Sequence, residues 1–176
     1  EQYDDGTLAR RSYGVVYVTY GPITGDVDVA TDSVRVVSSL STWSQDVVGQ
    51  NLTMGDMNGD GIQDLAITTL AGEEDVGFGG GAVYLRYGSP ERLDILADVD
   101  GNVVLDLDNF DARFSGDSSY GAAGEGLKMG DVNGDGADDL VVTNPKHGGE
   151  RGMIYVMPGD GYSKYEGAWS LWNADV

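Results

Sequence analysis

An all-β fold built from four-stranded antiparallel units is what this sequence predicts, and three observations predict it. Short β-branched and aromatic runs recur between glycines. No apolar stripe with a 3.6-residue period persists beyond one turn. Two stretches repeat at a fixed interval, which sets the size of the unit.

The repeats carry the most information. Residues 52–67 read LTMGDMNGDGIQDLAI, and residues 127–142 read LKMGDVNGDGADDLVV, 75 positions later without a gap. A second element follows each. Residues 81–88 read GAVYLRYG and residues 152–159 read GMIYVMPG, 71 positions apart. A third copy of that element, GVVYVTYG, lies upstream at 14–21 with no acidic loop before it. The chain therefore divides into the second half of a first unit (1–45) and two full units (46–118 and 119–176).

Each run has a place in such a unit. Val15–Val18, Val83–Leu85 and Ile154–Val156 are the matching strands of the three units. Leu65–Thr69 and Leu140–Thr143 follow the acidic loops directly. Val34–Val37, Val103–Leu107 and Trp169–Trp172 are expected to be the outer strands that complete each unit. About ten strands in repeats of ~70 residues are the organisation of propeller blades, with about two and a half blades present. A β-sandwich would explain the strands but not the repetition.

The acidic loops carry the chemistry. Asp56, Asn58, Asp60, Gly61 and Asp64 match Asp131, Asn133, Asp135, Gly136 and Asp139 position for position. Hard cations such as Ca²⁺ take six to eight oxygen ligands. Asp, Asn and Asp at positions 1, 3 and 5 supply three side-chain oxygens. The carbonyl at position 7 (Ile62, Ala137) and the carboxylate at position 9 (Asp64, Asp139) complete the set. Two Ca²⁺ sites are therefore expected. Mg²⁺ suits the loops less, because it sheds its water reluctantly. A helix–loop–helix calcium site would need Glu at position 12, where Ile67 and Val142 stand. The alternative is a metal-free hairpin turn, for which Asp-Gly and Asn-Gly are common.

These motifs resemble the FG-GAP repeat. Gly-Asp-x-Asn-Gly-Asp-Gly-x-x-Asp-Leu followed by Gly-Ala-Val-Tyr-Leu carries the likeness, which spans 14–172. The Phe-Gly element is degraded to Val48-Gly49 and Ala123-Gly124, and the Gly-Ala-Pro element to Thr68-Thr69-Leu70 and Thr143-Asn144-Pro145. The resemblance implies blades like those of integrin α-subunit propellers, Ca²⁺ on the ten loop residues named above, and an extracellular or cell-surface location. With too few blades for a ring, the chain is read as a piece of a longer propeller or as one that completes its ring with other copies. Its start at Glu1, with no hydrophobic leader, fits processing or a piece.

Composition narrows the function. Ten Lys+Arg against 30 Asp+Glu give a net charge of −20, which repels nucleic-acid phosphates and anionic lipid. No apolar run reaches the ~20 residues of a membrane helix. Without cysteine there is no disulfide, thiolate metal site or Cys nucleophile. Glycine makes up 28 of 176 residues, well above the usual ~7%, as many tight turns require. Catalytic residues are not evident, and His147 reads as a surface-loop histidine. Asp26, Asp28, Asp32 and the acids of 94–111 read as solvated loops. Asn51-Leu52-Thr53 is a glycosylation sequon. The expected role is a non-catalytic scaffold for adhesion or protein interaction. Its alternatives are the substrate-binding part of a secreted hydrolase or lyase, and a lectin-like module using Tyr and Trp43, Trp169 and Trp172 on glycans.

Overall fold

The computed structural model describes residues 14–29, 33–37, 47–69, 79–90, 104–116, 120–147, 151–162 and 165–171. Trp43, Trp172, Asp32, Leu70 and the acids of 94–103 lie outside them. Among the described residues there are eleven strands and one 3₁₀ turn, Leu107–Asn109. The strands are β1 (Val16–Val18), β2 (Val34–Val37), β3 (Val48–Gly55), β4 (Asp64–Thr69), β5 (Ala82–Arg86), β6 (Val104–Asp106), β7 (Ala112–Ser115), β8 (Leu127–Gly130), β9 (Asp139–Asn144), β10 (Met153–Met157) and β11 (Gly167–Ser170).

The middle blade is β3-β4-β5-β7, antiparallel throughout. The last blade contributes β8-β9-β10 in the same order. The leading half-blade contributes the antiparallel pair β1-β2. The all-β, bladed architecture expected from the repeats is thus the one observed.

The outer strands differ from expectation. Val104–Asp106 forms a strand, but it pairs in parallel with β2 of the leading unit. Gly167–Ser170 likewise pairs in parallel with β7 of the middle blade. In both places the chain leaves the third strand of one blade and adds an extra strand to the blade before it. Each arm then turns on a leucine, Leu107 or Leu171, that is almost fully buried. The middle blade's own fourth strand is Ala112–Ser115, a segment outside the outer strands expected from the sequence, whose pattern is short and broken by Arg113.

The middle blade is covered on both faces, and every residue of β4 is buried. One face sends Leu65, Ile67 and Tyr84 to a core shared with Val16, Val36, Val48 and Leu107. The opposite face sends Ala66, Val83, Leu85, Ala112 and Phe114 to a core shared with Leu127, Leu140, Val142, Tyr155 and Met157 of the last blade. Residues of opposite parity on a strand reach opposite faces, so both cores come from one alternating pattern.

Close approach between blades depends on two glycines that sequence reading undervalued. Gly49 and Gly124 occupy equivalent positions, with φ of 82° and 87°. A Cβ on Gly49 would strike the Val16 side chain, and one on Gly124 would lie 2.6 Å from Thr68 Cγ2. The degraded Phe-Gly element has therefore lost its aromatic residue and kept the glycine that lets one blade seat on the next. Alanine at Gly124 meets both a strained backbone and a clash, so Gly124→Ala should unfold at clearly lower denaturant concentration than the parent. Phe114→Ala, which empties a fully buried site, should cost about 3–5 kcal/mol in the same measurement.

Candidate metal centre

Both acidic loops join the first strand of a blade to the second: residues 56–63 connect β3 to β4, and 131–138 connect β8 to β9. They share most of their internal wiring, and the second loop adds a bond from the Gly134 amide to Asp131 at 2.6 Å. The first carboxylate, Asp56 or Asp131, accepts the amides of positions 5 and 6: Asp60 and Gly61 at 3.0 and 2.9 Å, Asp135 and Gly136 at 3.2 and 3.0 Å. The position 5 carboxylate accepts the amide of position 7, Ile62 at 2.8 Å or Ala137 at 2.9 Å. It also accepts the side-chain amide of position 3, Asn58 at 3.0 Å or Asn133 at 2.8 Å. Glycines at positions 4 and 6 of both loops have φ between 72° and 96°, which the tight turn requires.

Position 9 behaves differently from the rest. Asp64 and Asp139 are fully buried. One oxygen of Asp64 accepts the Met57 amide at 2.8 Å, and the other accepts the Gly88 amide at 2.8 Å. Asp139 accepts the Val132 amide at 3.0 Å and the Gly159 amide at 2.9 Å. Each aspartate therefore ties the loop entrance to the residues just after the blade's third strand. Gly88 and Gly159 are the closing glycines of the two Gly-Ala-Val-Tyr-like elements. A Cβ on Gly88 would lie 2.5 Å from the Gln63 carbonyl oxygen, and one on Gly159 would lie 2.7 Å from the Met57 carbonyl oxygen. Burial pushes the Asp64 carboxyl up from 3.8 to about 6. The amides of Gly88, Met57 and Asn58 pull it back only in part, and the charge of Asp60 adds to the rise.

The structure thus brings Asp56, Asn58, Asp60, Ile62 and Asp64 into one turn, and Asp131, Asn133, Asp135, Ala137 and Asp139 into another. Among the described residues no three His, Cys, Asp or Glu side chains are gathered tightly enough to form a ready-made metal cluster. The donor set nevertheless suits a hard cation. It is all oxygen, and each carboxylate oxygen that accepts one amide keeps a further lone pair.

Three other sequence readings meet the structure here. Asn51, the sequon asparagine, donates through Nδ2 to the carbonyls of Gly124 (3.0 Å) and Glu125 (2.9 Å) of the last blade. His147 is buried rather than on the surface, and its carbonyl accepts the amides of Arg151 and Gly152. Trp169 is 40% exposed, donates to the Glu166 carbonyl, and meets the Tyr165 ring edge-on.

Residues 123–157, which run from just before the seating glycine Gly124 through the second acidic loop to the end of β10, match the FG-GAP repeat family model. That segment is similar to an FG-GAP repeat. It is also similar to the phosphatidylinositol-glycan-specific phospholipase D of Rattus norvegicus, at 29% identity over 157 residues. That match covers 82% of this chain and 16% of the relative, so the chain spans about a sixth of that protein's length. Asp139 closes the second acidic loop, and its two amide partners set one expectation. Asp139→Ala leaves the amides of Val132 and Gly159 without their acceptor and should cost on the order of 2–4 kcal/mol in equilibrium unfolding. Asp135→Ala, on an exposed side chain, should cost markedly less.

Proposed function

We propose that this chain is a Ca²⁺-braced segment of an extracellular β-propeller, acting as a non-catalytic module for adhesion or protein interaction. The observation that carries the reading is the wiring shared by two acidic loops 75 residues apart. The first loop holds three carboxylates in nine residues and the second holds four, and the partners of the buried one are backbone amides rather than a cationic side chain. A divalent ion supplies the positive charge such a loop lacks. Asp56, Asn58, Asp60, Asp64 and the Ile62 carbonyl would hold one ion. Asp131, Asn133, Asp135, Asp139 and the Ala137 carbonyl would hold the other. The ions act structurally, fixing the turn from the first strand to the second.

The open faces support the interaction role. Val141, Thr143, Ile154 and Val156 share one face of the last blade, and Ile154 is 66% exposed. Their equivalents Ala66, Thr68, Val83 and Leu85 in the middle blade are covered by the last blade. Leu52 and Met54 on β3 are each 52% exposed. Further blades of the same protein, or a protein partner of similar apolar face, fit these surfaces.

A second reading rests on the relative. A chain of this kind could serve as the substrate-positioning propeller of a larger secreted hydrolase, since the similarity extends over most of its length. Binding of glycan to exposed aromatics such as Trp169 is the third. Activity assays on glycosyl-phosphatidylinositol substrates and a glycan array separate these from the scaffold role.

Calcium is tested first. Native mass spectrometry should count two Ca²⁺ per chain, and Asp60→Ala and Asp135→Ala should each lose one. EDTA should lower the melting temperature, because an ion that binds only the folded state stabilises it. An unchanged melt together with no bound ion sinks the proposal.

A further inference from the structure

We infer that the two acidic loops bind their ions cooperatively, with Asp138 as the positioning residue that couples them. The inference rests on the calcium reading above and adds a relation between the two sites. Asp56 opens the first loop, and both of its backbone groups are committed to Asp138 in the second. The Asp56 N–H donates to the Asp138 carboxylate at 2.8 Å, and the Asp138 N–H donates to the Asp56 carbonyl at 2.8 Å. Asp138 immediately precedes Asp139, the closing residue of its own loop. The equivalent residue of the first loop, Gln63, is exposed. The coupling contact is therefore a feature of the junction between blades and not of each loop.

A second route joins the same loops. Asp64 holds the Met57 amide at 2.8 Å, and the Met57 side chain is buried in the core between blades. The Met57 carbonyl packs against Gly159, whose amide is held by Asp139 at 2.9 Å. Asp64, Met57, Gly159 and Asp139 thus form one continuous path between the two buried carboxylates. The tip of the first loop also meets the segment that follows β10, where a Cβ on Gly59 would lie 3.0 Å from the Gly161 Cα.

The physical consequence is a shared ordering cost. An ion in the second loop fixes the backbone from Asp131 to Asp139, and with it the position of Asp138. That holds the Asp56 backbone in place before the first loop takes its ion. The second ion then orders fewer free torsions and binds more tightly. The effect is reciprocal: each ion favours the other by the same factor, here expected to be on the order of tenfold. Repulsion between the two ions opposes this, but each loop's carboxylates neutralise its own ion locally.

Calcium titration of the full chain by calorimetry, with native mass spectrometry counting ions, tests the inference. The first loop should bind about tenfold more weakly in Asp135→Ala than in the parent, and the second loop should weaken by a like factor in Asp60→Ala. Asp138→Ala should still bind two ions but lose the cooperativity. Asp138→Asn, which keeps an oxygen for the Asp56 amide, should retain most of it. Thermal melts identify a variant that fails to fold. If Asp138→Ala fails, the two single-loop variants and Asp138→Asn decide the matter. Two ions bound independently in the parent, or cooperativity intact in a folded Asp138→Ala, overturns the coupling alone. No ion bound by the parent overturns the calcium reading and the coupling with it.

Discussion

A buried carboxylate receiving two backbone amides is the interaction on which each blade depends. Asp64 and Asp139 make it in the same way. One amide comes from the start of the acidic loop, the other from the glycine that closes the third strand. First strand, second strand and the end of the third are therefore tied at a single side chain. Carboxylate hydrogen bonds to amides are among the stronger neutral-to-charged contacts, and leaving those amides buried and unpaired would be costly. The rest of the loop is arranged round this tie. Glycines at positions 4 and 6 make the turn, and the acids of positions 1 and 5 collect the amides that the turn leaves without strand partners.

Much of this was legible in the sequence. The spacing of 75 and 71 residues fixed the units, and the runs after the acidic loops became β4 and β9 within one residue of expectation. The turn made by the loop residues was legible by type and spacing, because Asp, Asn and Gly accept backbone amides and positive φ in a tight bend. The dual role of position 9 was not. A carboxylate offered as an ion ligand and one used as an amide acceptor have the same sequence, and only burial separates them. The arms were hidden for a related reason. A run such as Val104–Asp106 announces a strand, but nothing in a local pattern states which sheet it joins. Ala112–Ser115 was hidden because four residues interrupted by Arg113 give almost no alternation. Gly49 and Gly124 were visible but undervalued, since their worth lies in the neighbouring blade. Asp138 looked like one more acid in an acidic loop.

The blade junction also decides which surface readings survive. Asn51 satisfies the sequon pattern, yet its side-chain amide bridges to Gly124 and Glu125 across the junction. A sugar linked to that nitrogen would displace a donor from this bridge. The same step that covers Ala66, Thr68, Val83 and Leu85 leaves Val141, Thr143, Ile154 and Val156 open. Apolar exposure here follows from position in a stack, and it is greatest where a next sheet would rest.

The parallel arms have a consequence for how the chain folds as it leaves the ribosome. The middle sheet acquires its fifth strand only when Gly167–Ser170 has been made, and the leading sheet waits likewise for Val104–Asp106. Each sheet is finished by chain that belongs to its successor, so maturation runs in one direction, and an unfinished edge stays open until translation has moved past the following loop. A pause in synthesis between Ser115 and Gly167 would leave that edge available to a wrong strand for as long as the pause lasts.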